Sequence, residues 1–356
     1  MLWGFPLTAP RVKYVSNYNF PLTNLSRTLT PIAGYDAGVY NFSAIVRDIS
    51  DKISMGLYKY SGGVLGPDGK IVFVPMHADH IGIFDPSDRS FTAINVSNKI
   101  SIDYKYHGGV LGPDGKIVFV PDNADDIGIF DPSDRSFTTI DITDKISIDY
   151  KYHGGVLGPD GKIVFVPYHA DNIGVFDPSD RSFTTIDISD KISSDGKYWG
   201  GVLGPDGKIV FVPSLVENIG VFDPSDRSFT TIDIPQWTSD QIMYHVSRFH
   251  GGVLGPDGKI IFVPGSNSIG VFDPSDRSLT LIDIRHTDGY YRYFGGANPF
   301  YRGGVLGPDG KIVFVPLHAN NIGILELGNQ DLAYEISGGI PGDAWSALLS
   351  PHFNKC

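Results

Sequence analysis

One string, GGVLGPDGKIVFVP, recurs six times along the 356 residues, starting at Gly62, Gly108, Gly154, Gly200, Gly251 and Gly303, with a single Val-to-Ile change in the fifth copy. The intervals are 46, 46, 46, 51 and 52 residues. A unit this short cannot bury its own apolar faces, so near-identical copies at a fixed period must stack on one another. That requirement limits the chain to an array of like units, and the third copy, His153 to Tyr198, shows which kind.

Gly154 to Leu157 is a short apolar run ending in Gly158-Pro159-Asp160-Gly161, where Pro presets φ and Gly supplies φ > 0 for a tight turn. Ile163 to Val166 follows as a β-branched and aromatic run, apolar on both faces as in a strand covered on both sides, and Pro167 closes it. After Tyr168-His169-Ala170-Asp171-Asn172 comes a third strand, Ile173 to Phe176, and then the turn Asp177-Pro178-Ser179-Asp180. Phe183 to Ile188, interrupted by Thr184, Thr185 and Asp187, reads as a fourth, wetter edge strand. No window has apolar residues at helical spacing, which excludes the helical solenoids.

Four antiparallel strands and a connection per unit define a β-propeller blade. The chain is therefore expected to be all-β, one propeller domain over 1–356, with first strands lining a narrow axis where the Gly-Gly pairs let backbones converge. Trp345 to Pro351 is a worn copy of Trp199 to Pro205, and residues 35–54 match the third strand, fourth strand and exit connection of a unit. The two ends thus complement each other, which predicts a seven-bladed ring whose last blade is shared by the termini. Six blades with an N-terminal extension is the alternative, and residues 1–30 fit neither scheme.

The unit resembles the blade of streptogramin lyases (virginiamycin B lyase) through His153-Gly154-Gly155-Val156, Gly158-Pro159-Asp160-Gly161, Asn172-Ile173-Gly174 and Asp177-Pro178. It is also similar to kelch blades through Asp177-Pro178 and Phe183. The lyase resemblance covers 62–326. It implies histidines on the face above the channel, a glutamate and a magnesium ion. His107, His153 and His250 meet the histidine position and are the metal candidates, whereas no matching motif supplies the glutamate.

In a repeat protein the unvarying text is framework, so a site must arise where copies differ. The residues before each Gly-Gly, Ser61, His107, His153, Trp199, His250 and Arg302, form a ring at the channel mouth, joined on that face by His77, His80, His169 and His318. Imidazoles there would transfer protons or hold a divalent ion, the one cofactor to consider; the simpler reading is that they plug the channel. Two connections exceed the usual 11 residues: Pro235 to His250 has 16 and Arg285 to Arg302 has 18. Trp237, Tyr244, Arg248 and Phe249 in the first, with Arg285, Tyr290, Tyr291, Arg292, Tyr293, Phe300, Tyr301 and Arg302 in the second, have the arginine and aromatic composition of binding surfaces.

These features predict a non-catalytic binding or scaffold propeller that holds a protein, an acidic peptide or a glycan, as part of a larger assembly or alone. A metal-assisted lyase or hydrolase at the mouth and a multivalent lectin are the alternatives. The net charge of −12 disfavours a nucleic-acid partner. No signal-peptide pattern and no apolar run near 18 residues is present, so a membrane span is not expected. The compartment is left open: the only cysteine, Cys356, leans one way and the triplets at Asn24, Asn41 and Asn95 the other. Asp-Pro-Ser-Asp, present five times, reads as a turn and not as a calcium loop.

Overall fold

The structure is a computed structural model describing residues 52, 58–234, 247–265, 268–283, 301–306, 312–316, 323–325 and 334–335. All of them belong to one compact unit, Arg47–Cys356. They contain strands and turns with no helix. Six four-stranded antiparallel sheets are present among them, each with its strands in sequence order. The chain is an all-β propeller.

In the third blade the strands are Tyr152–Leu157, Ile163–Pro167, Asn172–Asp177 and Ser182–Asp187. The first three are longer than the apolar runs alone predict and the fourth is shifted one residue toward the N-terminus, because ladder pairing sets the bounds: Asn172 pairs with Asp187 and Asp177 with Ser182. The second strand is buried along its whole length and the fourth alternates between exposed and covered positions, as inner and edge strands should.

First strands of successive blades lie side by side along the axis. The two glycines of each pair serve different ends there. Gly154 adopts φ 82°, and the ladder with the second strand slips in register beside it, between Phe165 and Pro167. Such a bulge re-aims the side chain next to it. Gly155 faces the preceding blade, where an added Cβ would sit 3.0 Å from the Cγ2 atoms of both Val110 and Val120. The core lies between blades, not within them: Val110, Val118, Val120 and Ile129 of one blade pack with Ile163, Phe165, Phe176 and Phe183 of the next. Full burial of each such side chain contributes about 1.5–3 kcal/mol.

The Asp-Pro-Ser-Asp segments are turns. Ser179 N and Oγ donate to Asp177 Oδ1 at 3.0 and 2.6 Å, and Ser182 N donates to Asp180 Oδ1 at 2.9 Å. The side-chain bond from Ser179 holds the Asp177 carboxyl below its usual range.

Candidate functional site

Strand direction puts the loops between second and third strands, and the blade-to-blade connections, on one face around the axis. The bulge beside each positive-φ glycine turns the preceding residue toward that axis. His107 and His153 stack at 4.1 Å and 12°, and His153 stacks in turn on Tyr168 at 3.7 Å and 10°. Tyr168 stacks on His169 at 4.8 Å. Trp199 stands nearly perpendicular to His107, His153 and Tyr168, and lies flat on His250 at 4.4 Å. Ser61, His107, His153 and His250 are buried and Trp199 is half-buried. Of the residues before the Gly-Gly pairs, His107, His153, Trp199 and His250 are thus brought into one packed cluster.

This packing does not fit the divalent ion that the histidines invite. Metal ligation needs nitrogen lone pairs, which lie in the ring planes, to converge on one point. Parallel rings at 4.1 Å direct theirs along parallel planes. Among the described residues no three His, Cys, Asp or Glu side chains are grouped to hold an ion.

A carboxylate that the sequence reading missed sits beside the stack. Asp122 is 0% exposed, and its Oδ1 lies 3.4 Å from His153 Nε2. Neither carboxylate oxygen accepts a hydrogen bond among the described residues. Burial pushes its carboxyl up to about 7, against the lowering pull of Lys151 and His169, with Asp149 adding to the rise. A signal for it existed: the residue after the closing Pro of the second strand is Met76, Asp122, Tyr168, Ser214, Gly265 or Leu317, an acid once in six copies.

The lysine two residues before His107, His153 and Trp199 is a clasp between blades. Lys151 is 0% exposed; its Nζ donates to Asn123 O at 3.2 Å and meets Asp125 Oδ1 at 3.3 Å, while its backbone N donates to Asp122 O. Lys105 pairs with Asp79 at 3.7 Å and Lys197 with Asp171 at 2.9 Å. Burial lowers the pKa values of Lys105 and Lys151, with the aspartates opposing it.

Arg248, expected to grip a ligand, takes the lysine's place in its blade. Its guanidinium donates to Leu215 O and Val216 O at 2.6 Å and to Glu217 Oε1 at 3.1 Å. Phe249 is 0% exposed and packs on Phe262 in the core, at the position of Tyr198 in the preceding blade. Both side chains are therefore committed to the framework, which leaves them little to offer a ligand. Tyr301 and Arg302 lie in the strand Tyr301–Leu306. Trp237, Tyr244, Arg285, Tyr290, Tyr291, Arg292, Tyr293, Phe300 and His318 lie outside the described residues.

A second set of rings extends outward from the plug. Tyr58, Tyr104 and Tyr150 each adopt φ 53°, a left-handed conformation that is costly for a bulky residue. Tyr58 is exposed and packs on His77 at 5.7 Å, His77 on Tyr104 at 4.3 Å, Tyr104 on Tyr150 at 5.6 Å and Tyr150 on His169 at 5.4 Å. Since His169 also touches Tyr168, the rings run unbroken from Tyr58 to His250.

No protein-family model matches this chain, and no curated protein does. Among solved structures, a streptogramin B lyase is similar with a TM-score of 0.63 and 21% identity, covering 82% of this chain and 87% of that one. A catalytically inactive virginiamycin B lyase from Staphylococcus aureus, solved with quinupristin, is similar with a TM-score of 0.60 and 20% identity over 80% and 87% of the two chains. An extracellular domain assigned to a one component system of B. thetaiotaomicron is similar with a TM-score of 0.57 and 12% identity, over 78% of this chain and 36% of that one. At these identities the likeness establishes the propeller fold, which hosts both catalysts and binding domains.

Proposed function

We propose that this chain is a binding propeller that holds a ring-bearing ligand, a peptide or a glycan, on the face around the channel mouth. The observation that carries this reading is the unbroken band of rings from Tyr58 through His77, Tyr104, Tyr150, His169 and Tyr168 to Trp199. Its outer members are exposed or half-buried, and three of them hold a costly backbone conformation. Rigid aromatic side chains give contact area at small entropic cost. The test is a panel of immobilised peptides and oligosaccharides probed with the native chain and with the triple variant Tyr58→Ala, Tyr104→Ala, Tyr150→Ala. Loss of the hits supports the reading; hits that all survive move the site elsewhere. Several equivalent sites per chain would make it a lectin.

The Asp122–His153 contact supports a second reading, general acid–base catalysis at the mouth. A buried carboxyl near neutrality beside an imidazole can hold and pass a proton at pH 7. Because the solved neighbour holds quinupristin, that compound is the first substrate to assay. Turnover that Asp122→Asn abolishes would establish catalysis; no turnover leaves the binding reading.

A further inference from the structure

Resting on the mouth-face reading, we infer that the ligand presents an organic cation, an ammonium or guanidinium group, recognised by the ring band with the Asp122 carboxylate as counter-charge. The charge balance of the face points there. Four of its cations are each paired with an acid: Lys105 with Asp79, Lys151 with Asp125, Lys197 with Asp171 and Arg248 with Glu217. What remains beside the rings is negative. Asp103 and Asp149 directly precede the band tyrosines Tyr104 and Tyr150, and Asp195 holds the same place one blade on. All three are exposed; Asp103 has the His77 imidazole at 3.8 Å.

An exposed acidic row alone would be weak ground. The independent observation is Asp122, wholly buried under the rings with no hydrogen bond to either oxygen among the described residues. Such a group is costly unless opposite charge lies near; Lys151 supplies part of it but is itself paired with Asp125, and a proton on His153 or a cation from outside would supply more. Because it is wholly buried, its charge is screened far less than that of a surface acid. The rings act in the same direction, since their faces carry negative potential and attract cations within about 6 Å of the centroid. An anion placed on the same band would be repelled by both. This replaces an acidic peptide by a basic or alkylammonium-bearing ligand at the described part of the mouth.

The experiment uses three probes of one shape and different charge, titrated by calorimetry into the full chain: choline, the uncharged isostere neohexanol, and the carboxylate of tert-butylacetic acid. The expected result is saturable choline binding, about ten-fold tighter than neohexanol, with the carboxylate weakest. Asp122→Asn should bring choline to within about two-fold of neohexanol, and Tyr150→Ala should weaken both. A thermal midpoint of Asp122→Asn at or above that of the native chain shows that the loss is not unfolding. Equal binding of choline and neohexanol, or choline binding unchanged in Asp122→Asn, overturns the cation inference and leaves the mouth-face reading standing. Carboxylate as the tightest probe overturns it in favour of an acidic ligand, and no binding of any probe overturns it outright.

Discussion

Asp122 concentrates the tension between stability and function in one side chain. Its carboxyl is raised from near 4 in the unfolded chain to about 7 when folded. A raised acid means that the folded state binds its proton more tightly, so folding is favoured at low pH. The contribution is lost as pH rises between about 4 and 7 and stays lost above that. Asp122→Asn should therefore be stabilising at pH 8 by on the order of 2–4 kcal/mol and nearly neutral at pH 4, read from urea unfolding at the two pH values. Equal effects at both would mean that the carboxyl is not destabilised by burial. A second residue-scale test exploits a pair that the repeats vary together. Tyr198 donates to Asn218 Oδ1 at 2.7 Å, whereas the next blade has Phe249 and Ser268 in the two places. Tyr198→Phe should cost about 1 kcal/mol, and adding Asn218→Ser should recover most of it, because the orphaned amide goes with its partner.

At the scale of the element, blades are joined by a charged clasp as well as by apolar packing. Lys197 is 0% exposed, with its Nζ bonded to His169 O at 3.1 Å and Asp171 Oδ1 at 2.9 Å. Arg248 performs the same function one blade later, so Lys197→Arg should be tolerated within about 1 kcal/mol. Lys197→Ala leaves the His169 carbonyl without its donor and a space between sheets, while the half-exposed Asp171 keeps its water, and should cost about 2 kcal/mol in equilibrium unfolding. A loss under 1 kcal/mol would assign the blade contact to the apolar residues alone. The clasp also anchors the mouth, since the loop it binds carries His169 and Tyr168, next to His153 in the stack.

For the whole molecule, closure decides stability, since a propeller whose first and last sheets do not meet leaves apolar faces open. The seventh blade expected from 35–54 and 345–356 lies, but for residue 52, outside the described residues and is a proposal. It predicts that removing 345–356 lowers the unfolding midpoint by about 10 °C or more in thermal scans, because an inner strand and the faces it covers are lost with it. An unchanged midpoint would favour six blades with an N-terminal extension. Binding by the mouth face should also weaken as salt rises if its partner is cationic, since exposed Asp103, Asp149 and Asp195 are screened over about 8–10 Å.

The repeat, the blade, its four strands and the order of those strands were legible in the sequence, because local turn chemistry and apolar runs determine them within each unit. Gly158-Pro159-Asp160-Gly161 and Asp177-Pro178-Ser179-Asp180 need no distant partner to turn, and Ile163 to Val166 needs two covering sheets wherever it lies. The sequence also put His107, His153 and His250 at one blade position, since each directly precedes a Gly-Gly pair. Whether those rings would open toward an ion or close on each other was decided by tertiary structure alone: stacking of His107, His153 and Tyr168 depends on distances between blades that no single unit encodes. The burial of Asp122, the commitment of Arg248 to a clasp and the left-handed tyrosines were likewise decided there. Each is a relation between neighbouring blades, and the energies that fix it exist only once the sheets have met.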